Sequence, residues 1–108
     1  GQSVKTNVAP KPQPAPATSP ANENDRREWQ KQLKQATQRA EDAESRVDAL
    51  EREKKALEAA LADPTLYVNG TLQKKQAEYN RVAADLARYQ SVWEDAMLET
   101  EALEKRLA

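Results

Sequence analysis

The 108-residue chain predicts an all-α fold: a two-helix antiparallel coiled-coil hairpin with a disordered Pro-rich N-terminal tail. Three observations predict it. Apolar residues recur at alternating steps of three and four along two long stretches, the period of a helical seam. A single short segment, "DPTLYVNG", interrupts that period. The charges of the two stretches complement each other only if the chain folds back on itself.

Composition narrows the class. Charged residues make up 32% and aromatics 5%, and Phe, Cys and His are absent. A compact globule of this size needs more large apolar residues than that. Ala and Leu dominate the apolar set, beside many Glu, Lys, Arg and Gln, which is the composition of long packed helices. The lack of Cys excludes a disulfide framework and a thiolate metal site, and it fits a reducing compartment. No apolar run approaches the roughly 20 residues of a membrane span. The opening "GQSVKTN" has no apolar signal core and no initiator Met. The chain therefore reads as an excised piece of a larger cytoplasmic protein, with no membrane contact.

Residues 1–23 are expected to be a disordered Pro/Ala-rich linker, since residues 1–21 hold five of the six prolines. Pro lacks an N–H and disfavours αR in the residue before it. Such a tract is a tether or a PxxP docking segment, spanning up to roughly 60 Å where extended. A first helix is expected over 24–62, capped by Asn22, Asn24 or Asp25, with Asp25 and Glu28 matching a capping box. Its seam is Trp29, Leu33, Ala36, Ala40, Ala43, Val47, Leu50, Lys54, Leu57 and Leu61.

The loop is expected over 63–70. Asp63-Pro64 ends the first helix, because the residue before Pro leaves αR. Asn69-Gly70 permits positive φ, and Asn69 or Thr71 caps the second helix. Leu66 and Tyr67 are expected to fold back and plug the end near Leu61 and Leu72. The second helix spans 71–107, with Leu72, Lys75, Tyr79, Val82, Leu86, Tyr89, Trp93, Ala96, Thr100, Leu103 and Leu107 on its seam. Each helix is about 55 Å long, and equal lengths joined by a short loop make a hairpin.

If Leu61 faces Leu72, then Trp93 faces Ala40, Tyr89 lies near Ala43 and Met97 near Ala36. Bulky residues then meet small ones. Val47 meets Leu86, and Leu50 meets Val82 or Ala83. Charge agrees with this direction. Residues 25–39 carry a net +3 and residues 94–106 a net −3, while 40–62 carry −3 against +2 over 72–92. Surface pairs are worth only a few tenths of a kcal/mol each, so charge selects register more than it stabilises.

Two basic clusters are candidate nucleic-acid sites. One is Arg26, Arg27, Lys31 and Lys34, with Arg39 beyond them and Lys5 and Lys11 in the linker. Clustered cations hold phosphates with salt-dependent affinity, or they pair with the acidic end of the second helix. The other cluster lies near the tip: Arg52, Lys54, Lys55, Lys74, Lys75 and Arg81. Lys54 and Lys75 occupy seam positions, where a buried ammonium is costly, so both must snorkel outward. A tip kept basic for a ligand and a loosened hairpin end both account for that. Trp29 and Trp93 are capable of stacking on bases, but their seam positions assign them to packing, with Trp93 in the core. The acid pairs Glu41-Asp42 and Glu94-Asp95 sit on helix surfaces. With no Walker motif, Gly-rich loop, His or Cys, no enzyme activity and no cofactor are expected.

The stretches "DRREWQKQL", "LEREKKALEAALADPTLY" and "YQSVWEDAMLETEALEKRL" resemble the C-terminal extension of ABC-F ATPases. That extension ends a helix in Leu-x-Asp-Pro-x-Leu-Tyr and continues with a helix carrying a Trp and then Leu-Glu. The matching residues here are Leu61, Asp63, Pro64, Leu66, Tyr67, Trp93, Leu103 and Glu104, and the resemblance covers about residues 25–107. It implies a non-catalytic module of an ATP-binding, ribosome-associated parent. It implies contact with nucleic acid, DNA in the Uup-like branch and ribosomal RNA otherwise. The Pro-rich tract becomes the linker after the second ATPase cassette. The alternative is a structural hairpin that docks on the parent's cassettes or self-associates, which the net charge of −1 favours. A monomer is expected.

Overall fold

The computed structural model describes residues 22–68 and 70–108. The linker expected over 1–23 therefore lies almost wholly outside the described residues, as does Asn69. The fold is all-α: helix α1 (Glu23–Leu61) and helix α2 (Leu72–Leu107) pack antiparallel along most of their length, joined by a short 3-10 turn (Pro64–Tyr67).

The first helix starts on Asn22, whose Oδ1 accepts from the Asp25 N–H at 2.8 Å. Of the three candidate caps, Asn22 alone fills the role, and Asp25 stands inside the first turn. The Asp25–Glu28 capping box does not form. Glu28 instead accepts from Gln32 Nε2, one turn on. Glu23 and Asp25 in the first turn complement the positive helix end, as Lys105 and Arg106 complement the negative end of α2.

Every seam residue named from the sequence is buried or half-buried, and none is exposed. Leu50, Leu57, Val82 and Leu86 form the central cluster, flanked by Val47, Tyr79 and Tyr89. Burying a side chain of that size stabilises by about 1.5–3 kcal/mol. Towards the open end the buried set becomes Ala36, Ala40 and Ala43 with Ala96 and Leu103. Thr100 interrupts the apolar seam, and its hydroxyl donates to the Ala96 carbonyl at 2.8 Å, so no polar group is stranded there.

Two packing expectations are corrected. Met97 is 44% exposed rather than enclosed between the helices, and its neighbour Ala96 takes the buried position. Adjacent helical residues stand about 100° apart, so only one of the two can face the partner helix. Trp93 is half-buried rather than core, and it lines a hollow together with Glu44 and Val47.

The loop carries more structure than its sequence suggests. Asp63 is extended (φ −78°, ψ 119°), which ends α1. Its Oδ1 accepts from the Thr65 N–H at 3.0 Å and the Thr65 hydroxyl at 2.9 Å. Those two bonds, the main-chain one first, hold the Asp63 carboxyl below the usual carboxylate range. Leu66 is buried as expected, whereas Tyr67 is 65% exposed. In a 3-10 turn successive side chains stand about 120° apart, so Leu66 and Tyr67 cannot both cover the same end. Gly70 adopts φ 76° and releases the chain towards α2. Thr71 stands at the N-cap, and its carbonyl accepts from the Lys75 N–H at 3.0 Å.

Candidate nucleic-acid interface

The structure divides the first basic cluster by helical face. Arg26 and Arg39 flank the seam and engage α2. Arg26 Nη2 donates to the Leu107 carbonyl at 2.9 Å, and Arg39 Nη2 lies 2.8 Å from Glu99 Oε1. These contacts show that the +3 and −3 stretches do meet. Neighbouring them, the Arg106 guanidinium sits 5.6 Å from the Trp29 ring centroid, so Trp29 is partly covered by the end of α2.

Arg27, Lys31 and Lys34 are different. They follow at steps of four and three, so they lie within roughly 60° of one another on the helix. Ala36 and Ala40 occupy the opposite side of α1. All three cations are exposed, and none has an ion-pair partner among the described residues. Among the described residues the acidic end of α2 therefore pairs with Arg39 alone, while Arg26 is held by a main-chain carbonyl.

The tip cluster is not one patch. Arg52, Lys54 and Lys55 line a shallow groove of about 780 Å³. Asp48, Glu51 and Glu58 line the same groove, so its fixed charges balance. Lys74 and Arg81, seven residues apart, share the other flank of α2, away from the groove residues Ala83 and Ala87. Lys75 is half-buried, with Nζ 3.4 Å from Glu78 Oε1, and Lys54 is half-buried in the seam. Near this end the Tyr79 hydroxyl donates to Glu58 Oε2 at 3.2 Å and ties α2 to α1.

Two features are not evident from the sequence. On one flank, the guanidiniums of Arg46 and Arg88 sit 5.4 Å and 4.8 Å from the Tyr89 ring centroid. Arg88 also pairs with Asp85 at 3.2 Å. The signal was the placement of Arg46 beside the seam, opposite an aromatic seam residue. On the other flank, Trp93, Met97 and Leu98 line a hollow of about 420 Å³ rimmed by Glu94, Glu101 and Glu104. The signal was the adjacent pair Met97-Leu98, at most one of which a single seam can bury.

Among the described residues no helix is long and apolar enough to cross a membrane. No protein-family model matches the chain, and neither a curated protein nor a solved structure shows significant similarity to it.

Proposed function

We propose that this chain is a non-catalytic helical hairpin that contacts nucleic-acid phosphates through the outer face of α1. One observation carries the reading: Arg27, Lys31 and Lys34 form an exposed stripe that has no ion-pair partner among the described residues. Three cations on a straight helix are a sequence-independent match for a phosphate backbone. The resemblance to the ABC-F C-terminal extension supports the same reading and supplies its setting, a cytoplasmic ATP-binding parent whose partner is DNA or ribosomal RNA.

The test is fluorescence anisotropy of a labelled short DNA duplex, and then of a structured RNA, across a salt series. Binding should weaken steeply with salt. Arg27→Gln, Lys31→Gln and Lys34→Gln together should lower the log–log salt slope for DNA by up to about 2.7, at about 0.9 per phosphate contact. A triple variant that binds with the slope of the parent chain would sink the reading.

A second reading is a protein-docking hairpin, on the parent's cassettes or on another copy. It is favoured by the tip, where Tyr67 and Val68 are 65% and 86% exposed. Chains that bind neither nucleic acid, but lose a protein partner when Tyr67 and Val68 become Ser, would establish it instead.

A further inference from the structure

The hollow beside Trp93 does not end there. Glu44, Val47, Asp48 and Gln90 line a second one of about 380 Å³, and the two share Trp93 and Glu94. Together they form an apolar track along one flank of the hairpin, with Trp93 half-buried, Met97 44% exposed and Leu98 65% exposed. Five carboxylates rim it: Glu44, Glu94, Glu101, Glu104 and, at its tip-ward end, Asp48, which also lines the charge-balanced groove of Arg52 and Lys55. Among the described residues no basic side chain lines either hollow, and the ion pairs involve none of these acids. An aromatic floor with an unpaired acidic rim calls for an extended, apolar and cationic occupant.

We propose that residues 1–21 of the same chain occupy this track, with Lys5 and Lys11 against its carboxylates and the prolines against Trp93 and Met97. Three facts select this occupant. The segment contains Lys5 and Lys11 but no Asp or Glu. Its Pro-x-Pro repeat pre-sets φ, so docking as an extended chain costs little conformational entropy. It also enters at the right end. Asn22 caps α1 where Arg26 reaches the Leu107 carbonyl, so the residue to which the segment is joined stands near the C-terminal end of α2.

The reach suffices. Glu101 and Glu94 lie six and thirteen residues before Leu107, about 9 Å and 20 Å along the axis. Lys11 is eleven residues from Asn22, a span of up to about 34 Å in the polyproline conformation. Tethering keeps the segment at an effective concentration in the millimolar range, so a contact too weak to hold a free peptide is populated. The Arg27, Lys31 and Lys34 stripe of the same molecule does not compete, because it lies on the outer face of α1. The stripe or segment of a second copy is the rival occupant.

The test uses the full chain. It has no Cys, so Gln13→Cys accepts a single nitroxide label for paramagnetic broadening of ¹⁵N-labelled protein. Trp93 (including its indole N–H), Met97, Leu98 and Glu101 should lose intensity selectively. Val92, Asp95 and Glu99, at the same height on the other flank, should lose less. High salt, or Lys5→Glu with Lys11→Glu, should abolish the difference. Equal broadening of both flanks, or selectivity indifferent to salt and charge reversal, overturns the proposal. A mixture of nitroxide-labelled ¹⁴N chain with unlabelled ¹⁵N chain should show no broadening at Trp93. Broadening there would assign the track to a second copy and overturn the intramolecular arrangement.

Discussion

Arg39 and Glu99 meet at 2.8 Å, the one ion pair among the described residues that joins the two helices. Both side chains are about half exposed, 48% and 45%, so solvent screens the pair and its worth is at most about 1 kcal/mol. Its larger role is to discriminate register, because a shifted α2 would bring a different residue to Arg39. A double-mutant cycle with Arg39→Ala and Glu99→Ala should give a coupling of about 0.3–1 kcal/mol that shrinks with added salt. The swap Arg39→Glu with Glu99→Arg should recover most of it. A coupling of zero at low salt would show that the pair does not set the register.

Asp63 links loop geometry to pH. Its folded-state pKa is depressed by the Thr65 main-chain N–H and then by the Thr65 hydroxyl. A depressed acid stabilises the folded form above its unfolded pKa, and that contribution fades as pH falls through the folded value. The hairpin should therefore lose this part of its stability only on acidification below the ordinary carboxylate range, with no change between neutral and mildly acidic pH. Carbon-detected NMR titration of Asp63 should show a low midpoint. Thr65→Val removes the lesser bond only, so the midpoint should rise partway. A full return to the ordinary value would mean the main-chain bond contributes nothing.

Gly70 sits at φ 76°, with open space where a Cβ would stand. Replacement by Ala meets no steric obstacle, so its cost is that of the left-handed backbone, about 1–2 kcal/mol. Gly70→Asn should cost less, since Asn tolerates that region. Urea melts of the three chains should rank Gly, then Asn, then Ala. Equal midpoints would show that the loop relaxes to another conformation at no cost.

The core should respond by burial rather than by side-chain size. Leu86 is 7% exposed within the central cluster, whereas Trp93 is only half-buried. Leu86→Ala should cost about 2–5 kcal/mol. Trp93→Ala should fall short of the about 3–5 kcal/mol of a fully enclosed Trp. Thermal melts in which Trp93→Ala is the more damaging change would place Trp93 deeper than its surroundings indicate.

Much of the fold is legible in the chain because a helical seam is a one-dimensional signal. Steps of three and four keep one stripe of each helix facing its partner. From Trp29 to Leu61 and from Leu72 to Leu107 every residue on that stripe is indeed covered. Asp63-Pro64 and Gly70 are equally local, since each acts through its own backbone dihedrals. The candidate site is less legible. Arg26 and Arg27 are neighbours in sequence, yet one reaches the Leu107 carbonyl and the other faces solvent. Lys55 and Lys74 look like members of one basic tip but occupy different flanks, and Asp48, Glu51 and Glu58 share the groove with the first. Charge counted along the chain averages over the angle around the helix axis, and that angle decides which charges meet.

The amino-acid order alone determined two long helices, their antiparallel direction and the place of the turn, because periodicity, dihedral preference and charge asymmetry are properties of the chain itself. Only the tertiary structure decided the depth at which each side chain rests. It buried Ala96 and left Met97 outside, half-covered Trp93, and set Leu66 inward and Tyr67 outward. It left Arg27, Lys31 and Lys34 without an ion-pair partner among the described residues. It also gathered five carboxylates around an apolar track on one flank of the hairpin. The reason is geometric. A seam constrains one line on each cylinder, while the flanks are fixed only by how the second cylinder is rotated and shifted against the first.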